Sequence, residues 1–226
     1  MNSEAHWFLT RRADQTGAAF FAALQAVAAL AAAPDVQAEL VELVPSDALS
    51  ALPHMAESTG GEAGDAILAL AGPLPALQAA VARVAPHLRE ACDGARSSVL
   101  GLRRFSILPG SDRIKLFFGL RRLDSLTRPA FLSYWLDVHA EFGRRLIPPY
   151  SYHQLHAEAD LTQQMAELSG LAPSTLDGIA EVHFPDLEAL IAQLSRPAVA
   201  TDALADERTF IDHARSVFRV FRTPDR

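Results

Sequence analysis

Extended and helical hydrophobic patterns alternate along this chain in one order, and that order occurs twice. The first pass predicts a strand over residues 6–10, a helix over 17–33 and a strand over 38–44. After a glycine-rich break come a strand over 65–71, a helix over 75–92 and a long strand over 97–107. The second pass predicts a strand over 113–121, a helix over 128–146, strands over 150–157 and 178–184, a helix over 187–194 and a strand over 215–221. Both passes read β-α-β-β-α-β. Short sequence echoes accompany them: Phe8-Leu9-Thr10-Arg11-Arg12 against Phe118-Gly119-Leu120-Arg121-Arg122, and Ala95-Arg96-Ser97-Ser98-Val99 against Ala214-Arg215-Ser216-Val217.

A four-stranded antiparallel sheet with both helices on one side leaves its other face in need of cover, and a second such sheet supplies it. The expected fold class is therefore α+β: two tandem ferredoxin-like β-α-β-β-α-β halves that form a pseudo-dimeric α+β barrel. The Pro- and Gly-bearing segment Ser106-Ile107-Leu108-Pro109-Gly110-Ser111-Asp112 marks the junction, which divides the chain into halves 1–108 and 109–226. A homodimer of such pseudo-dimeric chains is compatible with this plan.

Composition excludes several function classes. Half of the residues are hydrophobic and 21% are charged, which suits a globular core and not a disordered chain. The net charge of −7 and scattered arginine pairs offer no basic face for nucleic acid. Cys92 is the single cysteine, so no internal disulfide forms, and it is expected as a small buried hydrophobe. Residues 17–33 could pass for a signal-peptide core, but Gln25 interrupts them and a strand-like run precedes them. A buried helix, no membrane span and a cytoplasmic protein are expected.

Few residues carry chemistry. On the helix predicted over 128–146, a 3.6-residue period puts Phe131, Tyr134, Trp135, Val138, His139 and Phe142 on one face, toward the sheet. Phe131, Val138 and Phe142 read as core, while Tyr134, Trp135 and His139 bring polar tips into an apolar layer. His139 is either a core histidine bonded to a backbone carbonyl or a pocket residue. Along residues 178–184, alternation puts Ile179, Glu181 and His183 on one face. If that face meets the helix, Glu181 could set the tautomer of a histidine; if it faces outward, Glu181 and His183 are an exposed pair. Tyr150, Tyr152 and His156 share a face, either lining the same cavity or packing across strands. His153 and His156, three apart on a strand, project to opposite faces and cannot chelate one metal. Metal binding has no support, and no phosphate loop, dinucleotide fingerprint, nucleophile elbow or zinc motif occurs.

The stretch Phe131-Leu132-Ser133-Tyr134-Trp135-Leu136-Asp137-Val138-His139 resembles the EthD family, whose first helix typically carries F-x-x-Y-W-x-x-x-H. The likeness extends to LFFGLRR, YSYHQLHA, DGIAEVHF and DERTFIDH and covers about half of the chain, residues 112 to 222. The N-terminal half has Phe20, Phe21 and Leu24 where that helix motif would lie, so no site is carried over to it.

The resemblance implies a cavity between helices and sheet for an apolar, often aromatic or polycyclic small molecule, and proton chemistry without a cofactor. It points to a lyase- or isomerase-type enzyme that dehydrates, cyclises or decarboxylates a hydrophobic carbonyl compound. His139 would be general acid or base, Tyr134 a donor to the developing oxyanion and Glu181 a helper; Trp135, Phe131, Tyr150, Tyr152, His156 and His183 would contact the substrate. The alternatives are a cofactor-free monooxygenase of the same fold and a non-catalytic binder of a hydrophobic metabolite or of haem. The pocket of the N-terminal half is expected to be small or filled.

Overall fold

The computed structural model describes residues 2–45, 49, 63–146, 148 and 150–224. Its first strand, β1 (Ser3–Leu9), alternates between two buried environments: Glu4, His6 and Phe8 point one way and Ala5, Trp7 and Leu9 the other. Helix α1 (Gly17–Ala31) starts where the Thr16 side chain accepts a hydrogen bond from the Ala19 amide. It buries Phe20, Leu24, Val27 and Ala31, spaced by four, three and four residues. Strands β2 (Gln37–Leu43) and β3 (Ala66–Gly72) follow, then α2 (Leu74–Ala91) and the eleven-residue β4 (Ser98–Leu108).

The second half begins with β5 (Ile114–Leu120). Helix α3 (Arg128–Tyr134), capped by Thr127, runs through a π turn (Trp135–His139) into α4 (Ala140–Arg144). Then come β6 (Tyr152–Ala157), α5 (Ala159–Ser169), the two-residue β7 (Ala172–Pro173) and β8 (Gly178–Phe184). Helix α6 (Leu187–Leu194), a π-helical segment (Ala198–Ala203), α7 (Leu204–Glu207) and β9 (Val217–Arg222) complete the chain.

Eight strands close into an antiparallel barrel in the order β1-β3-β2-β9-β5-β8-β6-β4, and β4 returns to β1. The two seams between the halves differ. Strand β4 is long enough to pair with β1 through residues 98–102 and with β6 through residues 102–108, whereas β2 and β9 share only the pairs Glu42↔Arg222 and Leu43↔Phe221. Closure removes sheet edges and gives every strand two covered faces. Three cores result. One lies between α1, α2 and the first four strands, around Trp7, Leu24, Leu68, Val81 and Leu88. A second lies between the C-terminal helices and the last four strands, around Phe118, Phe131, Trp135, Phe184 and Phe210. The third fills the barrel with Phe8, Leu100, Phe117, Leu155, Ile179 and Phe221.

The expected α+β barrel is therefore present. Apolar side chains pack the helix–sheet layer of the N-terminal half, and an open groove of about 460 Å³ lies on its outside between α1 and α2, lined by Ala23, Ala26, Leu30, His87 and Glu90. Helix α5 was not anticipated: it leaves the second half and packs on α2 and β4 of the first. Its close approach requires Gly101, where a Cβ would come within 2.6 Å of the Thr162 nitrogen. Cys92 is buried, and burial pushes its thiol pKa up.

Candidate active site

The first helix of the second half does not keep an α-helical period. At the π turn the Ala140 amide bonds to the Trp135 carbonyl, and the Gln154 side chain donates to the same carbonyl at 2.8 Å. One extra residue per turn moves every later side chain back along the helix face. His139 therefore takes the inward position that a regular helix would give Val138. His139 is 7% exposed; Val138, expected in the core, is 46% exposed.

Inward rotation sets His139 against Phe142 and Phe210, at ring-centroid distances of 5.3 and 5.0 Å. Its Nδ1 lies 2.7 Å from Asp206 Oδ2, and the Tyr134 hydroxyl donates to Asp206 Oδ1 at 2.6 Å. A carboxylate can only accept, so Nδ1 carries the hydrogen and Nε2 keeps its lone pair. Burial lowers the His139 pKa against the opposing pull of Asp206, which leaves the ring neutral at pH 7. The bond to Asp206 raises the Tyr134 pKa, so the phenol keeps its proton.

Nε2 faces Glu207, whose Oε1 is 3.9 Å away, and the other Glu207 oxygen lies 3.6 Å from His213 Nε2. His139 and Glu207 line a cleft between the helices and the sheet, with Leu116, Phe118, Tyr152, Val182, Phe184 and Phe218 as its apolar wall. The cleft has a volume of about 80 Å³ and opens to solvent.

The other residues singled out in the sequence divide between two sides of the sheet. Tyr152 lines the cleft, and its ring occupies the space where a Cβ at Gly143 would stand, 2.1 Å away. Phe131, Trp135 and His156 lie beneath it: Trp135 stacks on His156 at 4.7 Å, and Phe131 packs on Trp135 and Phe210. Burial drives the His156 pKa down to about 4. Tyr150 packs on Phe184 at 4.6 Å. Glu181 and His183 are not neighbours of His139, nor are they an exposed pair. Strand alternation gives Ala180, Val182 and Phe184 to the cleft and turns Glu181 and His183 into the barrel.

Inside the barrel Glu181 accepts from Arg104 at 3.0 Å and from His183 Nε2 at 2.8 Å, and Lys115 Nζ lies 3.7 Å away. Burial would raise its pKa; Lys115, His183 and Arg104 more than offset this and hold it well below the carboxylate range. Arg104 also bridges to Glu4, and Lys115, the only lysine, pairs with Glu39. His153, on the opposite face of β6 from His156, is likewise held inside, between Ser106 and the Gly110 carbonyl.

Sequence reasoning had picked out the stretch that carries Asp206, Glu207, Phe210 and His213 without giving those residues roles. The spacing offers a signal: the acidic pair precedes Phe210 by three to four residues, so one helical turn brings all three together beside the π turn.

Residues 123–214 match the family model of the EthD domain. The match lies within the C-terminal half and includes the π turn and the short helix before β9. Asp206, Glu207, Tyr134 and His139 all fall within this match. No match was found among the curated proteins. Among solved structures, an anthrone oxidase-like protein superposes with a TM-score of 0.61 at 11% identity, covering 99% of this chain and 91% of that one. A mutant chlorite dismutase from Candidatus Nitrospira defluvii, in complex with cyanide, superposes with a TM-score of 0.54 at 10% identity over 99% and 91% of the two chains. A protein provisionally named a monooxygenase, from Lactobacillus acidophilus, gives 0.54 at 11% identity over 97% and 92%. At these identities the likeness establishes the barrel fold alone. Among the described residues no helix is long and apolar enough to cross a membrane, and no group of three or more His, Cys, Asp or Glu side chains is arranged to hold a metal ion.

Proposed function

We propose that this chain is an enzyme that removes a proton from a hydrophobic, aromatic or polycyclic carbonyl compound, with His139 as the general base. The observation that carries this reading is the 2.7 Å bond from His139 Nδ1 to Asp206. It fixes the tautomer that leaves a basic Nε2 at an apolar cleft, the arrangement that proton abstraction next to a carbonyl requires. As negative charge moves from carbon to oxygen, a nearby hydroxyl that keeps its proton can donate to it. Tyr152 keeps its proton and lines the cleft, whereas the Tyr134 hydroxyl already donates to Asp206 and holds that carboxylate in place.

Two fates of the carbanion define two reactions. Return of the proton elsewhere, or loss of a leaving group, gives a lyase or isomerase. Transfer of electrons from the carbanion to O2, with formation of a C–O bond and loss of water, turns a CH2 into a carbonyl and gives a monooxygenase. The names of the structural neighbours, which include an anthrone oxidase-like protein and a monooxygenase, favour the second fate. The first step is common to both.

The same reading treats residues 1–108 and 109–226 as tandem ferredoxin-like units, one filled and one holding the site. In support, the strand order is β4-β1-β3-β2 in the first and β9-β5-β8-β6 in the second, the same once each set is numbered by its own half.

The test is proton exchange. In D2O without oxygen, the protein should speed the replacement of the acidic C–H protons of anthrone or an α-aryl ketone, and His139→Ala should abolish the acceleration. Oxygen uptake on admitting air then selects the monooxygenase branch. No exchange with any such compound would refute the proposal.

A further inference from the structure

The charge around the cleft is one-sided. Among its described lining residues the ring nitrogens are those of His139 and the one carboxyl is that of Glu207, which is 7% exposed and has its other oxygen 3.6 Å from His213 Nε2; the rest of the wall is apolar but for Tyr152. No lysine or arginine stands among the described lining residues. Asp206 lies directly behind His139, so a second carboxylate adds to the same field.

From this we infer that Glu207 is a specificity-determining residue: the cleft admits uncharged aromatic compounds and rejects those bearing a carboxylate, a phosphate or another anionic group on the ring that enters. The inference rests on the proposed reading of the same cleft and names the class of substrate it takes.

The physical reason is desolvation. An anion entering the cleft gives up its hydration, finds no lysine or arginine among the described lining residues and comes to rest near the Glu207 carboxyl on low-dielectric walls. A phenol or ketone of the same shape loses little. Its hydroxyl or acidic C–H can approach His139 Nε2, and the ring can pack on Phe118 and Phe184. The carboxylate also suits the proposed chemistry. Glu207 Oε1, 3.9 Å from Nε2, stabilises the imidazolium that forms once His139 has taken a proton. Discrimination of this kind rests on a repulsive element as much as on a fit.

Binding can be measured without turnover. With uniformly 15N-labelled full-length protein at pH 7, p-cresol and p-toluate are titrated separately, and the His139 ring signals are followed by NMR. The two probes share one ring and one methyl group and differ in charge. p-Cresol should shift the His139 signals and bind at least about 10-fold more tightly than p-toluate, roughly 1.4 kcal/mol. Glu207→Gln, which keeps the size of the side chain, should narrow that gap to within about threefold by strengthening p-toluate. Equal or tighter binding of p-toluate to the unaltered protein, an unchanged gap in the variant, or no shift of the His139 signals with either probe would each overturn the inference. Its failure leaves the exchange test untouched, and failure of the exchange test leaves this preference in place.

Discussion

His139 and Asp206 stand 67 residues apart in sequence and 2.7 Å apart in space, joined by a hydrogen bond between the π turn of the first C-terminal helix and the short helix before β9. That bond holds a buried imidazole in one tautomer, and the Tyr134 hydroxyl, bonded to the other oxygen of the same carboxylate, holds the carboxylate.

Replacing Asp206 by Asn keeps the shape and removes the charge, so the ring can bind in the wrong tautomer with Nε2 protonated. The acceleration of C–H exchange should fall by roughly 10²- to 10⁴-fold, in the range of lost general acid/base catalysis. The thermal midpoint should change little. Exchange rates and thermal melts of D206N check both.

The pH dependence has a definite sign. His139, His153 and His156 all have folded pKa values below their usual 6.5, mainly through burial, and His156 reaches about 4. Between 6.5 and the folded values the unfolded chain binds more protons, so stability is full above 6.5 and is lost as the pH falls through that window. Glu4, lowered to about 2 despite its burial by bonds to His6 and Arg104, and Glu181 extend the loss to lower pH in the same direction. Urea unfolding at pH 7, 5.5 and 4.5 should show a steady decline, and His156→Gln should remove on the order of 2 kcal/mol of it. A flat profile down to pH 4.5 would contradict the burial of these rings. Exchange activity should in turn rise with pH through the His139 pKa and level off by pH 7.

Much of the fold was legible because its strands and helices are built from strong local patterns. The order of the eight barrel strands follows from hydrophobic periods, and β8 and α6 fall on the expected residues. Helix α5 was missed although Leu161, Met165 and Ala166 keep a helical spacing, because it lies within what the repeat treats as a connection and its apolar side covers the other half of the molecule. The face of the site helix was half legible. A 3.6 period places Tyr134 and Trp135 correctly and misplaces Val138, since nothing in residues 135–139 announces a π turn whose bonding partner, Gln154, lies on another strand. Glu181 shows a second limit. Alternation fixed which residues share its face, but which face meets the helix depends on barrel closure, which only the assembled sheet decides.

The buried charges inside the barrel should matter for stability and not for chemistry. Lys115→Met leaves Glu181 with Arg104 and His183 as partners and should cost about 1–3 kcal/mol, whereas Lys115→Met combined with Glu181→Met should recover most of it. Exchange activity per folded molecule should stay near that of the unaltered protein in every variant that folds. A large loss of activity with stability intact would assign Glu181 a place in the reaction after all.

The seams of the barrel predict how a fragment behaves. Residues 113–226 alone lose β4 as the partner of β6 and β2 as the partner of β9, which exposes two edges and one apolar sheet face. Such a fragment should aggregate or dimerise obligately, as sedimentation would show. A well-behaved monomer would contradict the shared interior.

The role of His139 is tested most directly by one variant and two readings. His139→Ala should lower the rate of C–H exchange by roughly 10²- to 10⁴-fold while the thermal midpoint stays largely intact. If the ring serves only to fill the core, the order reverses: stability falls by roughly 1–3 kcal/mol as the partners of the ring lose their bond, and exchange per folded molecule is unchanged. Retained exchange with lost stability would contradict the account.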